Sequence, residues 1–159
     1  MRLDILKTLN EERTARRAVI VVTNQRCVAK GLVPDAALEA MHQRMCEELA
    51  ANGAKIDEIY YCPHEKHPPC CCRKPAPGML LAAARAHDID LTASWMIGDS
   101  EIDVEAGRNA GCRTALVLSD DETATVDCDV VGSSLLETVD RLLRREEMPT
   151  NYQLNSAVS

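Results

Sequence analysis

The chain has 159 residues, contains no phenylalanine, and carries 18 basic against 25 acidic residues, for a formal net charge of −7. This length fits one domain, whose core must be built from Ala, Val, Leu, Ile and Met. The acidic balance argues against nucleic acid as a partner, and no apolar run approaches the roughly 18 residues that a membrane span needs.

Apolar periodicity predicts helices that alternate with short strands. Helices are expected over residues 3–16 (with Asp4 as N-cap), 35–52, 79–87 and 102–110, and from a capping box at 134–137 to about 145. Strands are expected over residues 18–22, 56–61, 94–97, 113–118 and 129–131. The alternation predicts an α/β fold, a Rossmann-like three-layer domain with a mostly parallel sheet, over residues 1–147, followed by a polar, disordered tail over 148–159.

The second predicted helix carries an apolar stripe, and the sequence around it indicates where the helix begins and ends. Leu38, Met41, Met45 and Leu49 recur at helical spacing, so they are expected to pack in the core. Pro34 precedes the helix, and Gly53 is expected to end it.

Four soft metal ligands fall within the short loop 62–74. Cys62 and His64 face Cys70 and Cys72 across five residues, and four such donors are what a structural zinc ion needs. The alternatives are incidental or disulfide-bonded cysteines, although close spacings make poor disulfides. Replacement of one ligand by Cys71 or His67 also remains open.

The other four cysteines are scattered along the chain, at positions 27, 46, 112 and 128. Thiols in this distribution favour a reduced, cytoplasmic compartment over an oxidised secreted scaffold. The first residues also lack the apolar core of a signal peptide.

Polar side chains follow three predicted strands or their loops, where ligands bind in parallel sheets. Thr23 and Asn24 follow the first strand, Arg73 and Lys74 follow the cysteine loop, and Asp99 follows Gly98. These groups suit an anion, a phosphate and a hard cation such as Mg²⁺, respectively. Each also has a purely structural interpretation, as a helix cap or a solvated surface pair.

Three segments resemble motifs of the haloacid dehalogenase-like phosphatases. They are Val22-Thr23-Asn24-Gln25, Cys70-x-Cys72-Arg73-Lys74-Pro75 with the preceding Cys62-Pro63-His64, and Met96-Ile97-Gly98-Asp99 with Asp103. The similarity is greatest to the capless, zinc-containing branch of heptose bisphosphate phosphatases, with histidinol-phosphate phosphatases as relatives. It implies an aspartyl nucleophile that forms a phosphoenzyme, with Mg²⁺ bridging nucleophile and phosphate.

The resemblance also implies a role for each matching residue. Thr23 would hold the transferred phosphate, with Asn24 shaping the same corner, and Lys74 would neutralise charge on nucleophile and phosphate. Arg73 would reach the substrate and Asp99 would bind Mg²⁺. Cys62, His64, Cys70 and Cys72 would bind zinc and so fold the loop that presents Arg73 and Lys74.

The implied activity is that of a phosphomonoesterase that removes the 7-phosphate of D-glycero-D-manno-heptose 1,7-bisphosphate. The expected partner is therefore a small phosphorylated sugar, bound by a monomer or homodimer. Histidinol phosphate is the alternative substrate. A non-catalytic, zinc-stabilised phosphate-binding domain and a plain zinc-binding interaction module are the alternative functions.

The nucleophile motif of the family, Asp-x-Asp-Gly-Thr after an apolar strand, does not occur in this sequence. Asp4, in Asp4-Ile5-Leu6, is the candidate nucleophile. Residues 5–25 match the helix and strand that normally follow the motif, so the chain is expected to begin one βα unit late and to lack a central strand. Residues 1–6 could fill the gap, the neighbouring strands could pair directly, or a second copy could donate a strand.

Overall fold

The computed structural model describes residues 17–119 and 123–147, which form two small parallel sheets rather than one. The strands are β1 (Ile20–Asn24), β2 (Glu58–Cys62), β3 (Trp95–Gly98), β4 (Arg113–Val117) and β5 (Val130–Gly132). The helices are α1 (Arg26–Ala29), α2 (Asp35–Ala51), α3 (Gly78–His87), α4 (Glu101–Ala110) and α5 (Leu135–Glu147), with a 3-10 turn at Leu91–Ala93. Strands joined through helices confirm the predicted α/β class.

The first sheet pairs β1 with β2 in parallel, with Ile20 opposite Glu58 and Asn24 opposite Cys62. Its core is a cluster in which Leu49 of α2, Ala54 and Ile56 are buried and pack against Val19, Val21, Met45 and Ile59. Helix α3 also contacts both strands. The loop between β2 and α3 carries the four soft ligands, because β2 ends at Cys62.

The second sheet has the parallel order β3-β4-β5 and is covered on both faces. On one face, Ala115 packs with Val130 and with Val139 and Leu142 of α5. On the other face α4 lies so close that a Cβ on Gly107 would come within 2.6 Å of the Met96 Cβ. This sheet therefore has the helix–sheet–helix layering predicted for the domain.

Several element boundaries and one core residue differ from the sequence predictions. The first strand begins two residues later than predicted, and the Val19 N–H that precedes it donates to the Asp57 side chain (2.9 Å) rather than to a backbone carbonyl. Thr23 and Asn24 belong to the strand, where they lie opposite Tyr61 and Cys62 of β2. Met41 was predicted to be in the core but is 62% exposed, whereas Leu38 and Leu49 of the same stripe are buried.

The predicted capping box is present in altered form. The Ser134 Oγ accepts from the Glu137 N–H at 3.2 Å, but the Glu137 carboxylate accepts from the Ser133 N–H at 2.8 Å rather than from Ser134.

Direct pairing between the strands that flank the expected gap was one of three alternatives, and it is not observed. Within residues 17–119 and 123–147, β1 is hydrogen-bonded only to β2 and β3 only to β4. The predicted helix over 3–16, the candidate Asp4 and the tail over 148–159 lie outside the described residues. Among the helices that the structure describes, none combines the length and the apolar character needed to cross a bilayer.

Candidate functional site

The four predicted metal ligands of the loop converge at the end of β2. The ligand atoms of Cys62, His64, Cys70 and Cys72 all lie within 4.8 Å of one another. The sulfur–sulfur separations are 3.6 Å for Cys62 and Cys70, 3.4 Å for Cys70 and Cys72, and 3.3 Å for Cys72 and Cys62. The His64 Nδ1 lies 3.5 Å from the Cys62 sulfur and 3.2 Å from the Cys72 sulfur.

These separations match the edges of a small tetrahedron. With Zn–S near 2.3 Å and Zn–N near 2.0–2.1 Å, a tetrahedral site has S···S edges of about 3.8 Å and S···N edges of about 3.5 Å. All eight cysteines are free, and the sulfur atoms in the cluster lie well beyond a disulfide length of about 2.05 Å. The disulfide alternative is therefore wrong, and the donor set fits a structural metal ion.

The thiols of the cluster influence one another strongly. Burial raises the pKa of Cys70, but hydrogen bonds from Cys72, Cys62 and nearby backbone N–H groups outweigh burial and lower the pKa to about 6. Burial raises the pKa of Cys72, and the neighbouring Cys62 and Cys70 raise it further, to about 12. A divalent cation bound at this position would stabilise the thiolate form of its cysteine ligands.

The ligand loop is anchored on both sides by close contacts. Gly78 at the start of α3 donates its N–H to the Cys71 carbonyl at 2.9 Å, and a Cβ at this position would lie 2.2 Å from that oxygen. Only glycine permits this approach. The Arg73 guanidinium donates to the His64 carbonyl (3.1 Å), and Arg26 forms an ion pair with Glu65. Arg73 is thus committed to shaping the loop in this structure.

Lys74 follows the last cysteine and lies between the two sheets. Its ammonium donates to the Val22 carbonyl of β1 at 2.9 Å and pairs with the Asp103 carboxylate of α4 at 2.6 Å. The side chains of Lys74 and Asp103 are only 12% and 7% exposed. A fixed cation therefore lies between β1 and α4, and its role in phosphate binding stays a prediction.

Asn24 and Thr23 lie beside this lysine at the end of β1. The Asn24 side-chain amide donates to the Lys74 carbonyl at 3.2 Å, and the Lys74 N–H donates to its oxygen at 3.0 Å. The Thr23 hydroxyl accepts from the Gln25 side chain at 3.2 Å. The expected grouping of Thr23, Asn24 and Lys74 is thus present.

Asp103 was predicted to continue its helix and, with Asp99, to be among the carboxylates suited to a hard cation, but its contact with Lys74 was not predicted. The Ser100 hydroxyl holds its second oxygen at 2.7 Å, and a Cβ on Gly98 would lie 2.2 Å from the Asp103 Cβ. Asp103 comes four residues after Asp99, in the first turn of α4, and this spacing is the signal in the sequence that could have identified Asp103 as a site residue. Gly98 is required because it allows α4 to bring this carboxylate over the end of β3.

Asp99 is exposed at the carboxyl end of β3, and the N-cap of α4 is Ser100, so the cap interpretation of Asp99 does not hold. Two other Asp-x-Asp segments, 88–90 and 127–129, precede β3 and β5 respectively. They lie at the amino ends of parallel strands, which is the edge opposite Lys74. Neither can supply the nucleophile at this site.

The chain has clear relatives of known name and structure. Residues 71–136 match the model of the HAD-hydrolase-like family. A D-glycero-beta-D-manno-heptose-1,7-bisphosphate 7-phosphatase from Pseudomonas putida is 41% identical over 118 residues, which cover 74% of this chain and 67% of that protein. The protein of the same name from Pseudomonas aeruginosa is 41% identical over 127 residues, covering 72% and 71%.

The fold agrees with these sequence matches. The crystal structure of D,D-heptose 1,7-bisphosphate phosphatase from Bordetella bronchiseptica, complexed with magnesium and phosphate, superposes with a TM-score of 0.79 and 34% identity. The superposition covers 90% of this chain and 82% of that one. The chain belongs to the D-glycero-beta-D-manno-heptose-1,7-bisphosphate 7-phosphatase family of haloacid dehalogenase-like hydrolases.

Proposed function

We propose that this domain binds the 7-phosphate of D-glycero-D-manno-heptose 1,7-bisphosphate and serves its hydrolysis as a phosphomonoesterase. The observation that carries the proposal is Lys74: its ammonium is 2.6 Å from Asp103 and 2.9 Å from the Val22 carbonyl, and its peptide is bonded to Asn24 at the carboxyl end of β1. An ammonium group has three N–H donors, so this geometry leaves one for a phosphate oxygen. The matched relatives act on this bisphosphate by name.

The polar groups around Lys74 have separate roles in binding the substrate. The Thr23 hydroxyl lies at the end of the same strand and donates to a phosphate oxygen. Asn24 shapes this corner through its bonds to Lys74. Arg73 is released from the His64 carbonyl to contact the substrate away from the reacting phosphorus.

Two metal ions belong to the proposal. Cys62, His64, Cys70 and Cys72 hold zinc, because their donor atoms outline a tetrahedron of suitable size. Asp99, which is exposed at the carboxyl end of β3, would hold Mg²⁺, and the ion would neutralise charge between nucleophile and phosphate. The eight free cysteines also support a reducing, cytoplasmic location.

Hydrolysis requires a carboxylate that attacks phosphorus while the bond from phosphorus to the sugar 7-oxygen breaks and that oxygen takes a proton from an acid or from water. Water then cleaves the resulting acyl phosphate. Asp4 remains the candidate nucleophile from the sequence. Lys74 acts in both steps, because its positive charge favours approach of a carboxylate to a dianionic phosphate.

A second function is favoured by one specific observation: neither Asp-x-Asp segment of the described residues lies at the edge of the sheets that carries Lys74. In this alternative the domain binds phosphorylated sugars without turnover. Both functions need phosphate to bind at Lys74, whereas an interaction module that uses the zinc loop alone does not.

Phosphate release by the zinc-loaded chain with Mg²⁺ separates these functions. The substrates are heptose 1,7-bisphosphate, histidinol phosphate and an aryl phosphate. Turnover of the heptose bisphosphate above the other two is expected, and it should disappear in Lys74→Met. Binding without release would favour the non-catalytic domain. Failure of the folded, zinc-replete chain to bind any of the three would overturn both functions.

A further inference from the structure

The Asn24 side chain forms a two-point clamp on the backbone of Lys74. Its Nδ2 donates to the Lys74 carbonyl at 3.2 Å and its Oδ1 accepts from the Lys74 N–H at 3.0 Å. Fifty residues separate the two in sequence. The clamp therefore joins the end of β1 to the chain directly after the metal ligand Cys72.

Lys74 is attached to β1 both through its backbone and through its side-chain ammonium. The Gln25 N–H donates to the Cys62 carbonyl, and the Val19 carbonyl accepts from the Asp57 N–H, so the odd-numbered residues of β1 face β2. Backbone groups alternate in direction along a strand, so those of Val22 and Asn24 face the opposite edge. The Lys74 ammonium bonds the Val22 carbonyl on that edge, and the Lys74 peptide bonds the Asn24 side chain two residues later. The lysine therefore lies along the edge of β1 that is opposite β2.

The chain around Lys74 offers few substitutes for this clamp. Pro75 follows and has no N–H with which to anchor the turn. Arg73 precedes, and its carbonyl accepts from the Ala76 N–H within the same turn (2.8 Å), which does not attach the turn to β1. Among residues 17–119 and 123–147, Asn24 is thus the group that joins the Lys74 peptide to β1.

We infer that Asn24 is a positioning residue: its side-chain amide fixes the Lys74 peptide, and through it the Lys74 ammonium, at the edge of β1. The inference rests on the proposed function in placing the phosphate at Lys74. Asn24 affects phosphate binding by positioning Lys74 and does not contact the phosphate itself. The clamp uses the amide oxygen and one Nδ2 hydrogen, and Asn24 brings no charge of its own.

The first measurement needs no ligand. Hydrogen exchange of the Lys74 amide is followed by NMR in the zinc-loaded chain and in Asn24→Ala. Loss of its acceptor should accelerate exchange of this amide by about tenfold, the scale of one hydrogen bond. The Gln25 amide, bonded to the Cys62 carbonyl, should keep its rate. Unchanged exchange at Lys74 would overturn the inference, even if the chain binds no phosphate.

The second measurement is a double-mutant cycle with inorganic phosphate and Mg²⁺, followed by ³¹P NMR, which reaches millimolar affinities. Asn24→Ala should weaken phosphate about tenfold when Lys74 is present and less than twofold in Lys74→Met. Equal losses in both backgrounds would mean direct contact and would overturn the inference. Asn52→Ala is the matched control, because this exposed amide donates to the Glu48 carbonyl at 2.8 Å on α2, outside the site. Absence of phosphate binding by the unmodified chain would count against the proposed function instead.

Discussion

The ion pair between Lys74 and Asp103 should make an unusually large contribution to stability for a single charged contact. Exposed pairs contribute only about 0.2–1 kcal/mol, but breaking a buried pair costs about 3–5 kcal/mol because a lone charge is left without compensation. Exposures of 12% and 7% and a separation of 2.6 Å put this pair in the buried class. We therefore expect Asp103→Asn to lower the free energy of unfolding by about 3–5 kcal/mol.

Asparagine is the informative replacement because it keeps the size of the side chain and a partner for the Ser100 hydroxyl, which lies 2.7 Å from the carboxylate. Urea unfolding, followed by circular dichroism, gives the free energy. For a domain of this size the loss corresponds to a melting temperature lower by roughly 6–20 °C.

Two further variants make the reasoning refutable. Asp140→Asn breaks an exposed i,i+4 pair with Arg144 at 2.8 Å and should change stability by less than about 0.5 kcal/mol. Adding Lys74→Met to Asp103→Asn should recover part of the loss, because the lone cation is then gone. Equal small losses for Asp103→Asn and Asp140→Asn, or strictly additive effects of the two site variants, would refute the argument.

Two other predictions concern the metal cluster and pH. Removing the metal with a chelator should unfold loop 62–74 and lower the melting temperature of the chain, and Cys72→Ser should lower it in the same way. If differential scanning calorimetry shows an unchanged melting curve, the metal is not structural. The Glu146 carboxylate accepts hydrogen bonds from three donors: Trp95 Nε1 (2.8 Å), Arg113 (2.7 Å) and Arg17 (2.6 Å). Burial raises the pKa of Glu146, but these donors outweigh burial and lower the pKa below its ordinary value of 4.5. A carboxylate with a lowered pKa stabilises the fold above the unfolded pKa, and this contribution is lost as pH falls through the folded pKa. Glu146→Gln should thus be destabilised by about 2 kcal/mol at pH 7 and approach the unmodified chain below about pH 4.5; a pH-independent difference in urea midpoints would contradict this.

The sequence was most informative where spacing alone determines geometry. Cys62, His64, Cys70 and Cys72 could be predicted as one cluster because a loop of this length keeps its donors within a few ångströms. Within the described residues the strands and the longer helices were predicted in the right order, because apolar alternation sets which segments can be buried, whereas the four-residue helix α1 was not predicted.

Contacts that depend on distances between elements could not be predicted in the same way. The pairing of Lys74 with Asp103 depends on how closely α4 passes over Gly98, where a Cβ would lie 2.2 Å from the Asp103 Cβ. The exposure of Met41 depends on what covers α2, which helical periodicity does not state. The division into two sheets depends on long-range pairing that local patterns do not encode.

A ³¹P NMR titration of the zinc-loaded chain with heptose 1,7-bisphosphate and Mg²⁺ tests the central claim most directly, because the two phosphates have separate resonances. The account predicts that the 7-phosphate resonance shifts, or is replaced by inorganic phosphate, with the unmodified chain and not with Lys74→Met. If neither resonance changes, if only the 1-phosphate responds, or if Lys74→Met behaves like the unmodified chain, the assignment of the phosphate site is wrong.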